Sequence, residues 1–221
     1  MTPGKPPRAP TSLSEVGIGR PQHYESDAVA AAYHKRYESG FARWKHARKL
    51  RLLRRWIAAP KPARVLEVAC GPGRFYATHS GVWSVSLDRA APMLSRFRAE
   101  HADARLVRGD AATLPFDDGT FDVVLAIRFL AHLRGAYRAR VLGELVRVTR
   151  GSVILDGRHR YNLRFASRWI RRRLGLAHAD KLRHTYGEFR RELETAGLEV
   201  EEFRSIGWGL SARFLVRARK R

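Results

Sequence analysis

The sequence contains few cysteines, lysines and acidic residues, and it has no long apolar run. Cys70 is its one cysteine in 221 residues, so the chain forms no internal disulfide and cannot build a cysteine-based metal site. No apolar run reaches the roughly 18 residues that a membrane-spanning helix requires. Residues 1–22 are rich in proline and lack the apolar core of a secretory signal, which predicts a disordered tail. These absences together predict a cytoplasmic protein.

The scarcity of acidic residues gives the chain a net charge of +22, from 43 Lys and Arg against 21 Asp and Glu. The excess lies on the flanks: residues 1–60 hold 12 basic residues against 4 acids, and residues 159–221 hold 16 against 7. Such an excess indicates an acidic partner, which could be nucleic acid, an anionic membrane or an anionic substrate. The count of 36 arginines against 7 lysines is equally typical of a GC-rich genome. Both explanations stay open.

Apolar runs and helical patterns alternate along the middle of the chain, which is typical of a parallel sheet with helices on both faces. The run 121–127 is almost uninterrupted, as expected for a strand covered on both sides. The last two apolar segments follow one another closely and could pair as antiparallel strands. We therefore predict an α/β fold with strands at 64–69, 83–88, 104–110, 121–127, 151–157, 199–208 and 213–219, and helices at 91–101, 136–148 and 186–198.

The flanks of this core divide the chain further. Leu50, Leu53 and Ile57 recur at helical spacing before Pro60 and Pro62, so residues 23–60 are predicted to form an N-terminal helical lid over the site. Residues 61–221 form the predicted core, with a basic lid insertion at about 160–185.

Glycines and acids stand where the first three predicted strands end. Gly71 and Gly73 follow the first strand, in which Glu67 is an acid inside an apolar run. Asp88 ends the second strand and Asp110 ends the third. Ligands of open α/β sheets bind at the carboxyl ends of the strands, and glycines allow the backbone to approach them closely. An acid after the second strand is suited to bind both hydroxyls of a ribose.

In these motifs the sequence resembles the class I S-adenosylmethionine-dependent methyltransferases, in particular the small-molecule and lipid enzymes of the UbiE-like and methyltransferase-11 group. The matching stretches are "EVACGPG", "SLDRAAPML" and "GDAATLPFDDGTFDVVLA". The resemblance covers residues 63–157 closely and the last helix and two strands loosely. It implies a Rossmann-like, seven-stranded, mostly parallel sheet with helices on both faces and a terminal antiparallel hairpin strand.

The resemblance also implies S-adenosylmethionine as cofactor, S-adenosylhomocysteine as product, and no metal. By the same resemblance, Glu67 orients the glycine loop or meets the methionyl amino group, and Asp88 binds the ribose. Arg128, just past the fourth strand, would line the methyl-transfer site and the cofactor. The other residues predicted to bind the cofactor are Cys70, Gly71, Gly73, Arg89, Asp110 and Ala111.

A nicotinamide dinucleotide enzyme is the rival interpretation, because it too carries an acid after its second strand. Its fingerprint is G-x-G-x-x-G, and here Tyr76 stands in place of the third glycine. An acid at the third strand is not part of that pattern. The motifs therefore favour a methyltransferase.

The acceptor is less clear from the sequence. A hydroxyl acceptor would need a base, for which His132 and His159 are the candidates, although both also fit solvated or core-edge histidines. The usual features of RNA methyltransferases are missing: there is no Asn/Asp-Pro-Pro-aromatic motif after the fourth strand, and no lysine between Lys61 and Lys181. We therefore predict a small-molecule or lipid-linked acceptor. An RNA-binding methyltransferase and an inactive S-adenosylmethionine-binding module remain the alternatives.

Residues 162–176 form a predicted basic amphipathic helix, in which Trp169 and Ile170 belong to an apolar stripe flanked by arginines. Such a helix could cover the substrate as a lid, or it could lie in an anionic membrane interface. Binding of nucleic acid is the third possibility. The helix thus leaves open a peripheral location at the inner membrane surface, and the sequence does not indicate the oligomeric state.

Overall fold

The computed structural model describes residues 40–59, 61–160, 173, 183–207 and 212–221. Seven strands form one sheet in the order β3-β2-β1-β4-β5-β7-β6. The strands are β1 (Arg64–Val68), β2 (Trp83–Asp88), β3 (Arg105–Arg108), β4 (Phe121–Ala126), β5 (Thr149–Arg158), β6 (Leu198–Ser205) and β7 (Arg213–Lys220). The helices are α1 (Gly40–Ala58), α2 (Ala91–Glu100), α3 (Gly135–Val148) and α4 (Tyr186–Thr195).

The sheet is parallel from β1 to β5, and β7 lies antiparallel between β5 and β6. The chain runs outward from β1 through β2 to β3 and then returns to place β4 on the other side of β1. The reversal creates a crevice at the carboxyl ends of β1 and β4, where ligands of such sheets bind. The predicted fold class is confirmed, including the antiparallel finish.

The element boundaries differ from the prediction at several places, and the last helix and strand β6 each end three residues earlier than expected, at Thr195 and Ser205. Strand β5 starts two residues earlier than expected, at Thr149. Strand β3 ends at Arg108 rather than at residue 110, because the side chain of Asp110 accepts a hydrogen bond from the Ala112 amide and turns the backbone away. Between β1 and β2 the chain forms a single 3₁₀ turn, Tyr76–Thr78.

Side chains of successive strand residues pack on opposite faces of the sheet, as the twofold period of a strand requires. On one face, Leu66 and Val68 belong to a core shared with α3 and α4. On the other face, Val65 belongs to a core shared with α1. The helices thus cover both faces, which explains the nearly continuous apolar character of β4.

Helix α1 packs firmly on the sheet. Its residues Leu53, Trp56 and Ile57 are buried, and the indole Nε1 of Trp56 donates a hydrogen bond to Glu202 Oε2 at 2.8 Å. Residues 40–59 belong to the segment 23–60 that the sequence assigns to a lid, and that assignment stays a prediction. In the described part of the chain, no helix combines the length and apolar character needed to cross a membrane.

Candidate functional site

Asp88 is the acid at the end of β2, and the backbone holds its carboxylate in place. The Gly71 amide donates to Oδ2 at 2.8 Å, and the Ala90 amide donates to Oδ1 at 2.9 Å. Burial raises the pKa of Asp88, and these backbone hydrogen bonds oppose that rise. Each oxygen accepts one amide and has further lone pairs for a ligand, because a carboxylate offers about four acceptor positions.

The loop after β1 has left-handed backbone at Gly71 and Gly73, but the two glycines do different things. A Cβ built on Gly71 would meet no atom within 4 Å, so this glycine borders open space. A Cβ on Gly73 would lie 2.8 Å from the ring of Phe97 on α2. The sequence suggested that both glycines admit a ligand. The structure shows that Gly73 also allows α2 to pack closely against the loop.

The side chains of Cys70 and Arg89, which also belong to the predicted cofactor set, lie in an apolar cluster and at the surface, respectively. Cys70 is buried in an apolar cluster with Tyr76, Phe97 and Ala104, and burial raises the pKa of its thiol. Its contribution to a cofactor site is therefore limited to its backbone. The side chain of Arg89 is exposed, and its carbonyl oxygen accepts a hydrogen bond from Arg108 Nε.

Glu67 lies buried on β1 with its Oε2 3.5 Å from Nε2 of the buried His79. Burial, with a further contribution from Asp88, raises the pKa of Glu67 to about 8. Burial lowers the pKa of His79 to about 4. At neutral pH both groups are therefore largely uncharged.

Asp110 follows β3 and is held by two donors. Its Oδ1 accepts the Ala112 amide at 2.8 Å and the hydroxyl of Tyr137, on α3, at 2.5 Å. Burial and the bond to Asp110 raise the pKa of Tyr137. Ala111, which lies between Asp110 and Ala112, is buried. These two hydrogen bonds fix the direction of the Asp110 carboxylate. A fixed direction is what a single acceptor of an adenine amino group requires.

A second set of charged groups lies at the ends of β4 and β5. Arg128 has left-handed backbone (φ 68°), and its amide donates to Asp156 Oδ1. The other oxygen of Asp156 lies 3.1 Å from Lys49 Nζ of α1 and 3.8 Å from Arg213 Nη1 of β7. Burial lowers the pKa of Lys49 to about 8 despite the neighbouring carboxylate. Burial would raise the pKa of Asp156, but Lys49, Arg213 and the Arg128 amide together lower it.

The two histidines considered as bases lie in different surroundings. His132 ends the 3₁₀ turn Leu130–His132, just beyond β4, and is partly buried. His159 follows β5, and its ring centroid lies 4.6 Å from that of Tyr186. The His159 backbone also pairs with His184 in an isolated bridge. His159 is therefore integrated in the packing, whereas His132 lies on the turn that leaves the sheet.

The sequence did not identify four residues that shape this site: Lys49, His79, Tyr137 and Asp156. Asp156 stands near the end of β5, so the strand-end rule that selected Asp88 could have selected it. Nothing in the sequence distinguishes Lys49 from the other basic residues of α1.

The predicted helix at 162–176 lies outside the described residues except for Arg173, and most of the predicted insertion at about 160–185 also lies outside them. Among the described residues no group of three or more His, Cys, Asp or Glu side chains could hold a metal ion.

Comparison with known proteins agrees with this geometry. Residues 66–155 match the family model described as a methyltransferase domain. A phthiotriol/phenolphthiotriol dimycocerosates methyltransferase from Mycobacterium tuberculosis is 40% identical over 93 residues, 39% of this chain and 34% of that protein. A demethylmenaquinone methyltransferase from Beutenbergia cavernae is 38% identical over 96 residues, 42% of this chain and 39% of that protein. The chain thus matches less than half the length of each of these relatives.

Among solved structures, magnesium protoporphyrin IX methyltransferase from Synechocystis, crystallised with S-adenosylhomocysteine, has the same fold. Its TM-score is 0.73 at 14% identity, over 90% of this chain and 97% of that one. The matched residues run from within β1 to within β5, and they include Glu67 and Asp88. Residues 66–155 of the chain thus resemble a methyltransferase domain, and the sheet has the fold of a solved methyltransferase.

Proposed function

We propose that the protein binds S-adenosylmethionine and transfers its methyl group to a small-molecule or lipid-linked acceptor. The observation that carries this proposal is the carboxylate of Asp88, held by the Gly71 and Ala90 amides beside open space at Gly71. The rigid backbone contacts leave both oxygens able to accept hydrogen bonds from two vicinal ribose hydroxyls.

Two other acids of the site fit the same cofactor. Asp110 is oriented to accept from an adenine amino group, with Ala111 beside it. Glu67 is buried with its Oε2 accepting no hydrogen bond among the described residues, and it is suited to meet the methionyl ammonium group. A cation there would replace the lost hydration of the carboxylate and favour its charged form.

When bound, the cofactor supplies an electrophilic methyl group on a positively charged sulfur. The work of this chain is to hold donor and acceptor in line and to exclude water, which supplies much of the rate of such a displacement. For a hydroxyl acceptor, His132 is the better candidate base, since His159 is packed against Tyr186. The relatives' names, a dimycocerosate and a demethylmenaquinone methyltransferase, support a small-molecule or lipid-linked acceptor.

Calorimetry on the full chain tests cofactor binding. We expect S-adenosylhomocysteine to bind and NADH to give no heat. Asp88→Ala should weaken binding roughly tenfold to a hundredfold, because it removes a charged acceptor worth about 1.5–3 kcal/mol. Asp118→Ala, which removes an acid whose side chain is 79% exposed, is the matched control and should bind as the wild type does. Unchanged binding by Asp88→Ala, or tight NADH binding, would contradict the proposal.

Peripheral contact with an anionic membrane, on the cytoplasmic side, is a further part of the proposal. Its support is the predicted amphipathic helix at 162–176 and a stacked, half-exposed pair on α1, Phe41 and Trp44, which Lys45 and Arg48 flank. Each basic residue near an anionic surface contributes about 1 kcal/mol. The protein should sediment with anionic vesicles and not with neutral ones, and Trp169→Ala should weaken this while leaving RNA retention unchanged. If the protein sediments with neither kind of vesicle at ~0.15 M salt, the membrane contact is refuted. Salt at this concentration screens charges over about 8 Å, so it would not abolish the attraction between groups in direct contact.

A further inference from the structure

Glu67, on β1, and His79, which follows the 3₁₀ turn Tyr76–Thr78, face each other inside the protein. Glu67 Oε2 and His79 Nε2 lie 3.5 Å apart, and both residues are almost completely buried. Neither atom has a hydrogen-bond partner within the described part of the chain. Because a buried polar atom without a partner is costly, two such atoms that face each other require a physical explanation.

The hydroxyl group of Thr78 determines which nitrogen of His79 carries a proton. Thr78 Oγ1 donates its single proton to the carbonyl oxygen of Phe75, at 2.7 Å. Towards His79 Nδ1, which lies 3.3 Å away, the same oxygen can therefore only accept, and this requires a proton on Nδ1. A neutral imidazole has one N–H group, so Nε2 is an acceptor that presents its lone pair to Glu67.

Two acceptors that face each other repel unless one of them holds a proton. A protonated Glu67 supplies an O–H group that can point at the lone pair of His79 Nε2. Desolvation favours the same arrangement, because burial raises the pKa of Glu67 to about 8 and lowers the pKa of His79 to about 4. The carboxyl group, and not the imidazole, therefore holds the proton of this pair.

The ionisable groups around the pair act in the same direction. The charge of Asp88 favours the protonated form of Glu67. Burial raises the pKa of the Cys70 thiol, which keeps that group neutral. On the other side, the ring of Tyr76 meets the imidazole of His79 edge-on at 5.6 Å, and burial raises the pKa of this tyrosine. None of these three groups supplies a cation that would hold Glu67 in its charged form.

We propose that His79 is a positioning residue that keeps Glu67 protonated before a ligand binds, so that the ammonium group of the cofactor binds in exchange for one proton. This inference rests on the proposed function, in which the methionyl ammonium meets Glu67. On binding, the O–H bond of Glu67 breaks, its proton passes to solvent, and the carboxylate accepts an N–H of the ammonium. A site that is neutral when empty avoids an isolated charge in the interior.

Calorimetry with S-adenosylhomocysteine on the full chain, from pH 6 to pH 9, tests the exchange. Below the pKa of Glu67, the affinity of the wild type should fall about tenfold for each pH unit, because a proton must leave. His79→Gln introduces an amide that can donate to the carboxylate, which His79 cannot do, and this favours the charged form. The loss of affinity between pH 9 and pH 6 should therefore be about tenfold smaller in His79→Gln. The amino group of the ligand titrates equally in every experiment.

Thr78→Val tests the role of the imidazole tautomer without changing either member of the pair. The substitution keeps the shape of the side chain and removes the acceptor of the Nδ1 proton, so His79 can carry its proton on Nε2 and donate to Glu67. The pH profile should move in the same direction as that of His79→Gln. The double variant should behave as His79→Gln alone, because no imidazole remains whose tautomer could change.

His101→Gln is the matched control. The ring of His101 packs against Tyr76 at 4.8 Å, so this variant removes a histidine from the same aromatic group and leaves the contact between Glu67 and His79 in place. Its pH profile should equal that of the wild type. An equal change in His101→Gln would assign the effect to packing and would overturn the inference.

Nuclear magnetic resonance without ligand separates this inference from the proposed function. We expect an unprotonated Nε2 on His79 at pH 7, and a Glu67 carboxyl that titrates near pH 8 in the wild type and about one pH unit lower in Thr78→Val and His79→Gln. A proton on Nε2, or a titration that neither variant moves, would overturn the inference and leave the proposed function standing. Should His79→Gln fail to fold, the wild type and Thr78→Val decide. If S-adenosylhomocysteine does not bind, the proposed function fails, and the same spectra still show whether His79 keeps Glu67 protonated.

Discussion

The two halves of the site have opposite electrostatic character. The ends of β1, β2 and β3 present the carboxyl groups of Glu67, Asp88 and Asp110, held mainly by backbone amides and hydroxyls. The ends of β4 and β5 present arginines and Lys49 around Asp156, held by buried ion pairs. If the proposed function holds, the first half is the one that meets the positive charge and the hydroxyls of the cofactor.

The largest effect should come from breaking the ion pair that supports the positive half. Asp156→Asn leaves the buried Lys49 amine without its carboxylate, so we expect a loss of about 3–5 kcal/mol in the free energy of unfolding, measured in urea. The folded pKa of Lys49 lies below its ordinary 10.5, so the unfolded chain binds more protons above the folded pKa. The variant should therefore regain stability as the pH rises toward 10.

Asp118→Asn is the control for that experiment. The Asp118 side chain is 79% exposed where it pairs with Arg147, so the change should stay within about 0.5 kcal/mol. A similar small loss in Asp156→Asn would show that the buried pair does not support the positive half.

The two glycines of the first half offer the next test. Gly73→Ala should cost about 2–4 kcal/mol of stability, since it combines left-handed backbone with a Cβ 2.8 Å from Phe97. Gly71→Ala should cost about 1–2 kcal/mol, from the backbone alone, and yet lose S-adenosylhomocysteine affinity at least tenfold because its methyl group enters the open space. Denaturation and calorimetry on both variants measure the two effects. Retained affinity in Gly71→Ala would mean that the cofactor does not occupy that space.

The raised pKa of Glu67 makes both the stability of the protein and the binding of its ligand depend on pH. Its folded pKa of about 8 lies above its ordinary 4.5, so the stability that the neutral acid contributes is complete below pH 4.5 and is lost as the pH rises through 8. Glu67→Gln should flatten that decline. If the methionyl ammonium meets Glu67, binding of S-adenosylhomocysteine near pH 7 should release up to about one proton from the wild type and fewer from the variant. Calorimetry in buffers of different ionisation enthalpy counts the protons, and equal release from both proteins would contradict this assignment.

The smallest effect concerns Tyr137, which holds Asp110 from α3. Tyr137→Phe removes one hydrogen bond, so stability should fall by about 1 kcal/mol and S-adenosylhomocysteine affinity by less than tenfold. Urea denaturation and calorimetry measure the two losses. A loss of affinity as large as that of Asp88→Ala would mean that the hydroxyl itself contacts the ligand.

Much of the cofactor half could be predicted from the sequence, because its residues follow a local rule. Alternating strands and helices fix where parallel strands end, and Glu67, Asp88 and Asp110 occupy those ends or lead to them. The expected strand β2 matches the structure at both ends, 83–88. The residues that support this half from elsewhere, such as His79 and Tyr137, were missed because their contacts depend on how the turn and α3 pack.

The positive half was decided by tertiary structure. The sequence showed an excess of arginine on the flanks without showing which arginines meet. The register of β7 against β5 places Arg213 opposite Arg158, 55 positions apart in the chain, and α1 carries Lys49 to Asp156 across 107 positions. Sequence periodicity reports only which face a residue occupies within its own element. Contacts between distant charges follow from strand register and helix docking, which the whole core determines by packing its apolar faces together.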